Sequence, residues 1–195
     1  MTTQPITESE MTFGPYPAGT CFYIEKSQCY ERIREGVQIA EFLLLKEQGA
    51  ASTVWVVEAK SSSPMPATQP NFSNFIDEIR TKLTNGFLLA VAARLERHPL
   101  ADRELPDAFK ALNLQAQGFR FVLVIKGHKQ DWLAPLQSAL VQALKPVVKT
   151  WALPATSVAV LNHELAHQYG LIAAPLDATL KAVAPMKGVP PTLPQ

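Results

Sequence analysis

The tripeptide Glu58-Ala59-Lys60 ends a run of β-forming residues, 53–60 (TVWVVEAK), and carries the most suggestive chemistry in the chain. On a strand, side chains at i and i+2 share a face. Glu58 and Lys60 therefore project together, while Val57 and Ala59 face the other way. A second apolar run, 37–45 (VQIAEFLLL), precedes it across a polar link containing Gly49, the spacing of a hairpin. A turn about Gly49-Ala50, with glycine at the first central position as a type II′ turn prefers, sets Glu41 opposite Glu58. Two carboxylates and an ammonium then share one face of strands built from Val, Ile, Leu and Trp. Like charges side by side on a sheet repel unless something neutralises them. Mg²⁺, or Mn²⁺ in its place, would do so, because hard cations prefer carboxylate oxygen and keep waters available for chemistry. The matching reaction is phosphodiester hydrolysis, with the metal activating water and Lys60 orienting that water or steadying the developing charge. The plainer alternative is a protruding hairpin end whose Glu41, Glu58 and Lys60 form a half-exposed salt bridge.

A second pattern competes. His163-Glu164-Leu165-Ala166-His167 matches H-E-x-x-H, in which two imidazoles one helical turn apart grip Zn²⁺ and the glutamate acts as general base in peptide hydrolysis. It resembles the zincin metalloproteases, but Ala173 stands where a third histidine would follow, and Asp177 is the sole acid after Glu164. The alternative is a short helix capped by Asn162, favoured by Glu164 near its N-terminus and stopped by Gly170.

The elements that must position these residues are legible from periodicity. Residues 21–27 are β-rich, and 61–70 is a Ser/Pro loop. Between Asn71 and about Arg97, Phe75, Ile79, Leu83, Phe87, Val91 and Leu95 recur at i+4 spacing, an amphipathic helix. Residues 98–118 read as a polar, irregular insert. The run 119–126 is continuously apolar, as a strand buried on both faces would be. A second amphipathic stretch, Asp131 to about Trp151, presents Leu133, Leu136, Leu140, Val141 and Leu144, and Pro146 is expected to kink it or end it early. Residues 157–162 form a short strand before the helix at His163. The order predicts an α/β, three-layer domain with a central mixed sheet, a hairpin meander first and alternating helices and strands after it. One domain spans 21–182, between a loose N-terminal arm (1–20) and a Pro-rich tail (183–195).

Composition narrows the classes. The chain has 195 residues, a formal charge of +1, 47% apolar residues and two cysteines. That is too apolar for a disordered chain and too poor in cysteine for a disulfide framework or a four-thiolate zinc site. The near-neutral charge lacks the large basic excess usual in proteins that coat DNA non-specifically, but it leaves room for a local basic surface and so neither proves nor excludes nucleic acid. No apolar run reaches the length of a membrane helix, and the first residues lack the pattern of a secretory signal, so a cytoplasmic protein without membrane attachment is expected. No Gly-rich phosphate loop is present. Lys126 and Lys129, flanking Gly127-His128 after the fourth strand, and Ser61 after Lys60 are the candidates for contact with a phosphate backbone; a solvated turn is the alternative.

The hairpin with Glu41 on one strand and Glu58-x-Lys60 on the next, followed by a helix and a further strand, resembles the PD-(D/E)xK nuclease superfamily over residues 21–126. Ala40-Glu41 stands where that family has Pro-Asp. The resemblance implies a restriction-endonuclease-like core and a Mg²⁺-dependent nuclease acting on DNA, in restriction, repair or defence. Glu41 and Glu58 would hold the metal and Lys60 would serve catalysis. The family's additional glutamate on an N-terminal helix has no evident counterpart; Glu25, Glu31 and Glu35 are the candidates, with Glu25 assigned an outer contact to the metal. A homodimer or a protein partner would supply targeting. The alternative from another class is a non-catalytic, nuclease-like subunit of a larger complex.

Overall fold

The alternation of strand and helix patterns resolves, in a computed structural model that describes residues 1–48 and 51–173, into one five-stranded mixed sheet with helices. The chain opens with β1 (Ile6–Glu8) and β2 (Met11–Phe13), then β3 (Cys21–Phe22), a 3₁₀ turn at Ile24–Lys26 and the short α1 (Gln28–Glu31). β4 (Phe42–Gln48) and β5 (Ala51–Lys60) follow, then α2 (Asn71–Arg94), α3 (Ala101–Glu104), α4 (Asp107–Lys110), β6 (Gly118–Ile125), α5 (Gln130–Thr150), β7 (Val158–Asn162) and α6 (His163–Gln168). The sheet order is β3-β4-β5-β6-β7, antiparallel as far as β5 and parallel from β5 to β7. The helices α2 and α5 make the two parallel crossovers. β6 lies between two parallel neighbours and is covered on both faces, which accounts for the unbroken apolar run of its second half, Phe121 to Ile125.

One sheet face (Leu43, Val54, Val56, Phe121, Leu123, Ile125) packs on α2 and α5 through Ile79, Leu83, Phe87, Leu136 and Leu140. The other (Phe42, Leu44, Trp55, Val57, Val122, Val124) is covered by residues of β1, β2 and α6. This arrangement is compatible with a three-layer α/β architecture. Gly86 sets the depth of α2: a Cβ there would lie 3.0 Å from both the Ala40 Cβ and a Val56 methyl. The helix can approach the hairpin this closely only because that position has no side chain.

Several expectations need correction. Residues 1–20 are not a loose arm. β1 and β2 form a hairpin closed by Ser9 and Glu10, both at positive φ (50° and 59°), the backbone of a type I′ turn. Met11, Phe13 and Tyr16 are buried, with the Phe13 and Phe42 rings 5.2 Å apart. Three-residue strands are too short to show a period, and Ser-Glu carries no turn signature. The β-rich segment 21–27 is a two-residue strand followed by a helical turn, and β4 begins only at Phe42. The insert 98–118 contains α3 and α4, whose Leu105 and Phe109 enter the core. On α2, Leu95 is exposed and Phe72 and Ile76 are buried, so the apolar stripe advances by three as well as four residues. Pro146 does not end α5. It is exposed, as is Gln142 one turn earlier, so the carbonyl it leaves unbonded faces water. The expected turn residues Gly49 and Ala50 and the tail 183–195 lie outside the described residues.

Candidate metal and phosphate site

β4 and β5 pair with Phe42 opposite Val57 and Gln48 opposite Ala51, the register that sets Glu41 against Glu58. Glu41 immediately precedes the ladder and extends it, its N–H donating to the Val57 carbonyl at 3.0 Å. Both carboxylates face the α2 side of the sheet and both are buried, Glu58 completely. The Glu41 carbonyl in turn accepts from the N–H of Glu25 at 3.1 Å. That bond anchors the 3₁₀ turn and brings the Glu25 carboxylate to Glu41. The N-terminal hairpin adds a third acid: ligand oxygens of Glu8, Glu25 and Glu41 lie within 4.8 Å of one another. The hairpin tip is held in place by Ser9, which donates to the Ala59 carbonyl (2.9 Å), and by Glu10, which pairs with Lys126 (2.8 Å). Glu8 also accepts from the Tyr23 hydroxyl.

Two lysines answer these acids. Lys60, at the end of β5, lies 3.3 Å from Glu58 and 2.7 Å from Glu78 of α2. Lys82, one turn further along α2, donates to Glu58 at 2.8 Å and lies 3.8 Å from Glu41. Glu78 and Lys82 share a helix face at i, i+4 spacing, and Gly86 on the next turn permits the approach that lets Lys82 reach the sheet. Counting Lys26, paired with Glu25 at 3.3 Å, three ammonium groups face five carboxylates: Glu8, Glu25, Glu41, Glu58 and Glu78.

The electrostatics follow from this surplus. Burial, then the neighbouring charges of Glu58 and Glu25, pushes the Glu41 carboxyl up to about 8, against the weaker opposing pull of Lys82. Burial also raises Glu58, although Lys82 and Lys60 oppose it. Burial alone would lower Lys82, but the combined carboxylates of Glu58, Glu41 and Glu25 outweigh that and hold it above its ordinary value. Tyr23 is raised by burial and by Glu8. Oε2 of Glu41 and Oε2 of Glu58 are both buried without a hydrogen-bond partner. Orphaned acceptors among surplus acids are the environment that a hard divalent cation satisfies. The converging oxygens of Glu8, Glu25 and Glu41 fit Mg²⁺ or Mn²⁺, whereas Glu58, held by Lys82 and Lys60, is not part of that convergent group.

The other expected residues gather at the same edge, where β5, β6 and β7 end. Ser61 is exposed directly after Lys60. The Lys126 N–H donates to the Lys60 carbonyl at 3.0 Å, while its ammonium is taken by Glu10. Lys129 precedes α5 with its ammonium 5.4 Å from the Trp132 ring centre. His163 and Glu164, at the start of α6, line a cleft with Lys126, His128 and Lys129. Asn162 caps α6 by accepting from the Leu165 N–H at 2.9 Å, and Gly170 follows it at φ +65°. Among the described residues, no third His, Cys, Asp or Glu joins His163 and His167 within 4.8 Å; Asp177 lies outside them. Glu31 is exposed at the end of α1, paired with Arg34, and Glu35 is exposed.

Sequence reasoning missed Lys82, Glu78, Glu8 and Tyr23. The i, i+4 Glu-Lys pair on an otherwise apolar helix face was the available signal for the first two. Glu8 had none, because its hairpin has no period to read. No family model matches the chain, and no curated protein or solved structure matches it either.

Proposed function

We propose that this protein is a divalent-metal-dependent nuclease of the PD-(D/E)xK type, hydrolysing phosphodiester bonds in DNA. The observation that carries the reading is the pair of buried carboxylates, Glu41 and Glu58, each with an unpartnered oxygen, beside a lysine two residues along the same strand. Support also comes from topology, an antiparallel hairpin whose second strand continues through a helix into a parallel neighbour, as in restriction-endonuclease-like cores. Glu41 and Glu58 would hold Mg²⁺, with Glu25, and with Glu8 beside it, closing the acidic side. The bound ion would polarise a phosphoryl oxygen and acidify its water. Lys60 sits between Glu58 and Glu78, where its ammonium orients an attacking water or offsets charge developing on phosphate. Ser61 follows Lys60 directly, and Lys129 lines the cleft at the ends of β6 and β7, both suited to contact the substrate backbone.

One feature favours the second reading, a nuclease-like subunit that binds a protein partner without catalysis. The Lys82 ammonium stands between Glu58 and Glu41, neutralising the pair that a metal would otherwise bridge. Thermal melts with Mg²⁺, Mn²⁺ or Zn²⁺ separate the two. Stabilisation by Mg²⁺ or Mn²⁺ that disappears in Glu58→Ala, followed by metal-dependent cleavage of plasmid DNA, is the expected result. Indifference of both proteins to all three ions, with DNA present and absent, would reject the nuclease.

A further inference from the structure

At the opposite end of the parallel strands, on the face away from α2, a cleft of about 260 Å³ opens among Thr53, Trp55, Gly118, Arg120, Thr156 and Ser157. Trp55 and Arg120 are direct neighbours in the parallel ladder. The Arg120 guanidinium lies 4.9 Å from the Trp55 ring centre and 5.6 Å from that of Tyr169, which fixes its plane. Among the described residues it forms no ion pair with any carboxylate. Among the described residues, six buried side-chain polar atoms lack a hydrogen-bond partner, and three of them belong to residues lining this one cleft: Trp55 Nε1, Arg120 Nε and Ser157 Oγ.

The chemistry of these three atoms is uniform. Indole and guanidinium nitrogens can only donate, and the serine hydroxyl has a proton to give. The two unpartnered oxygens of the acidic site belong to carboxyl groups, which when ionised can only accept. Each buried donor left unmade costs about 1–3 kcal/mol, and chance does not readily gather three into one concavity. Ser157 is itself 3% exposed although it lines the cleft. Thr53 and Thr156 add hydroxyls at the rim. A fixed guanidinium without a counter-ion, ringed by donors, is complementary to a tetrahedral oxyanion.

We propose that this cleft is an oxyanion site that binds a phosphate group through Arg120, Trp55 and Ser157. It is separate from the acidic edge and does not depend on nuclease activity.

The test uses the full chain in EDTA, so that the acidic site takes no part. Substituting Trp132→Phe and Trp151→Phe leaves Trp55 as the single tryptophan, excited selectively over the tyrosines at the red edge of indole absorption. Inorganic phosphate, a 5′-mononucleotide and a short DNA oligonucleotide are titrated separately against sodium chloride at matched ionic strength. The expected result is a saturable change in Trp55 emission, absent with chloride, weakened about tenfold or more by Arg120→Gln and severalfold by Ser157→Ala. A response to phosphate and mononucleotide alike supports the site and identifies a free anion as ligand. A much stronger response to the oligonucleotide supports it and identifies a backbone phosphate. Should Arg120→Gln fail to fold, Arg120→Lys keeps the charge but loses the Nε donor and the planar fork, and is expected to weaken binding as well. The proposal is overturned if no titrant gives saturation beyond chloride. It is equally overturned if binding survives unchanged in the folded Arg120 and Ser157 variants.

Discussion

Replacing Glu41 by glutamine removes a charge that the fold buries against its own kind, so the metal-free variant should become increasingly more stable than the parent as pH rises. The Glu41 carboxyl moves from 4.5 to about 8 on folding, and each tenfold change in proton affinity is worth about 1.36 kcal/mol. Unrelieved, this would cost the folded state up to about 5 kcal/mol at high pH. Glu58, Glu25 and Glu8 repel the ionised form while Lys82 attracts it, and local rearrangement and water entry relieve part of the cost, so about 2–3 kcal/mol is the realistic expectation. The sign follows from proton binding. With the folded-state value raised, the stabilising effect of the proton is fully present below about 4.5 and is lost as pH climbs through about 8. Urea denaturation in EDTA at unit pH steps from 5 to 9 measures the difference between Glu41→Gln and the parent. That difference should grow with pH, with a slope no steeper than about 1.4 kcal/mol per pH unit, the limit for a single proton. At pH 8 to 9 it corresponds to roughly 4–10 °C in melting temperature. A difference that stays flat, or that favours the parent at high pH, would refute the claim that Glu41 is strained by uncompensated negative charge.

Lys82→Met leaves Glu58 with Lys60 alone at 3.3 Å; a loss of about 2 kcal/mol is expected in urea melts at pH 8, shrinking as pH falls, because burial favours the protonated form of Glu58, which needs no ammonium partner. Gly86→Val drives methyl groups into Ala40 and Val56, already 3.0 Å from the Cβ position, and should cost about 2–3 kcal/mol. Because it would lift α2 off the hairpin, exchange protection of the β4–β5 amides should fall with it. Asn162→Ala removes the cap on α6 and should cost about 1 kcal/mol, read as a shift of denaturation midpoint at constant m-value. Glu8→Ala should weaken Mn²⁺ stabilisation severalfold without abolishing it if the N-terminal hairpin completes the acidic cluster; unchanged affinity would remove Glu8 from the site.

What the sequence disclosed depended on how much chain each feature spans. The α2 pattern, the apolar run of β6 and the Glu41–Glu58 register were legible because each rests on a signal carried through five residues or more of one element. The β1–β2 hairpin was not, because three-residue strands joined by Ser9-Glu10 carry neither alternation nor a glycine, and their stability comes from burying Met11 and Phe13 on a distant sheet face. The acidic site divides along the same line. Glu41, Glu58 and Lys60 are local to one hairpin, and strand geometry alone places them together. Lys82 arrives from 22 residues beyond Lys60, and only the depth of α2, set by Gly86, determines that its ammonium rather than water meets Glu58.

The unsatisfied groups of the two sites carry a further lesson about polarity. A buried polar atom without a partner opposes folding, so such atoms are expected singly and at random if they are mere imperfections. Among the described residues, the two orphaned carboxylate oxygens belong to residues paired across the hairpin where acids outnumber lysines, and three of the four orphaned donors belong to residues lining the cleft where Arg120 forms no ion pair; the fourth, the Thr84 hydroxyl on α2, belongs to neither site. Sorting by sign is what sites awaiting a cation and an anion would produce, and packing defects give no reason for it. The sheet keeps the two apart, since Glu58 and Trp55, three residues apart on β5, lie on opposite faces of the strand. A ligand that satisfied one set would leave the other unsatisfied, so the two sites should bind independently. Saturating phosphate should leave the Mn²⁺ midpoint unchanged, and a measured coupling between the two would show that they respond to one conformational change of the sheet.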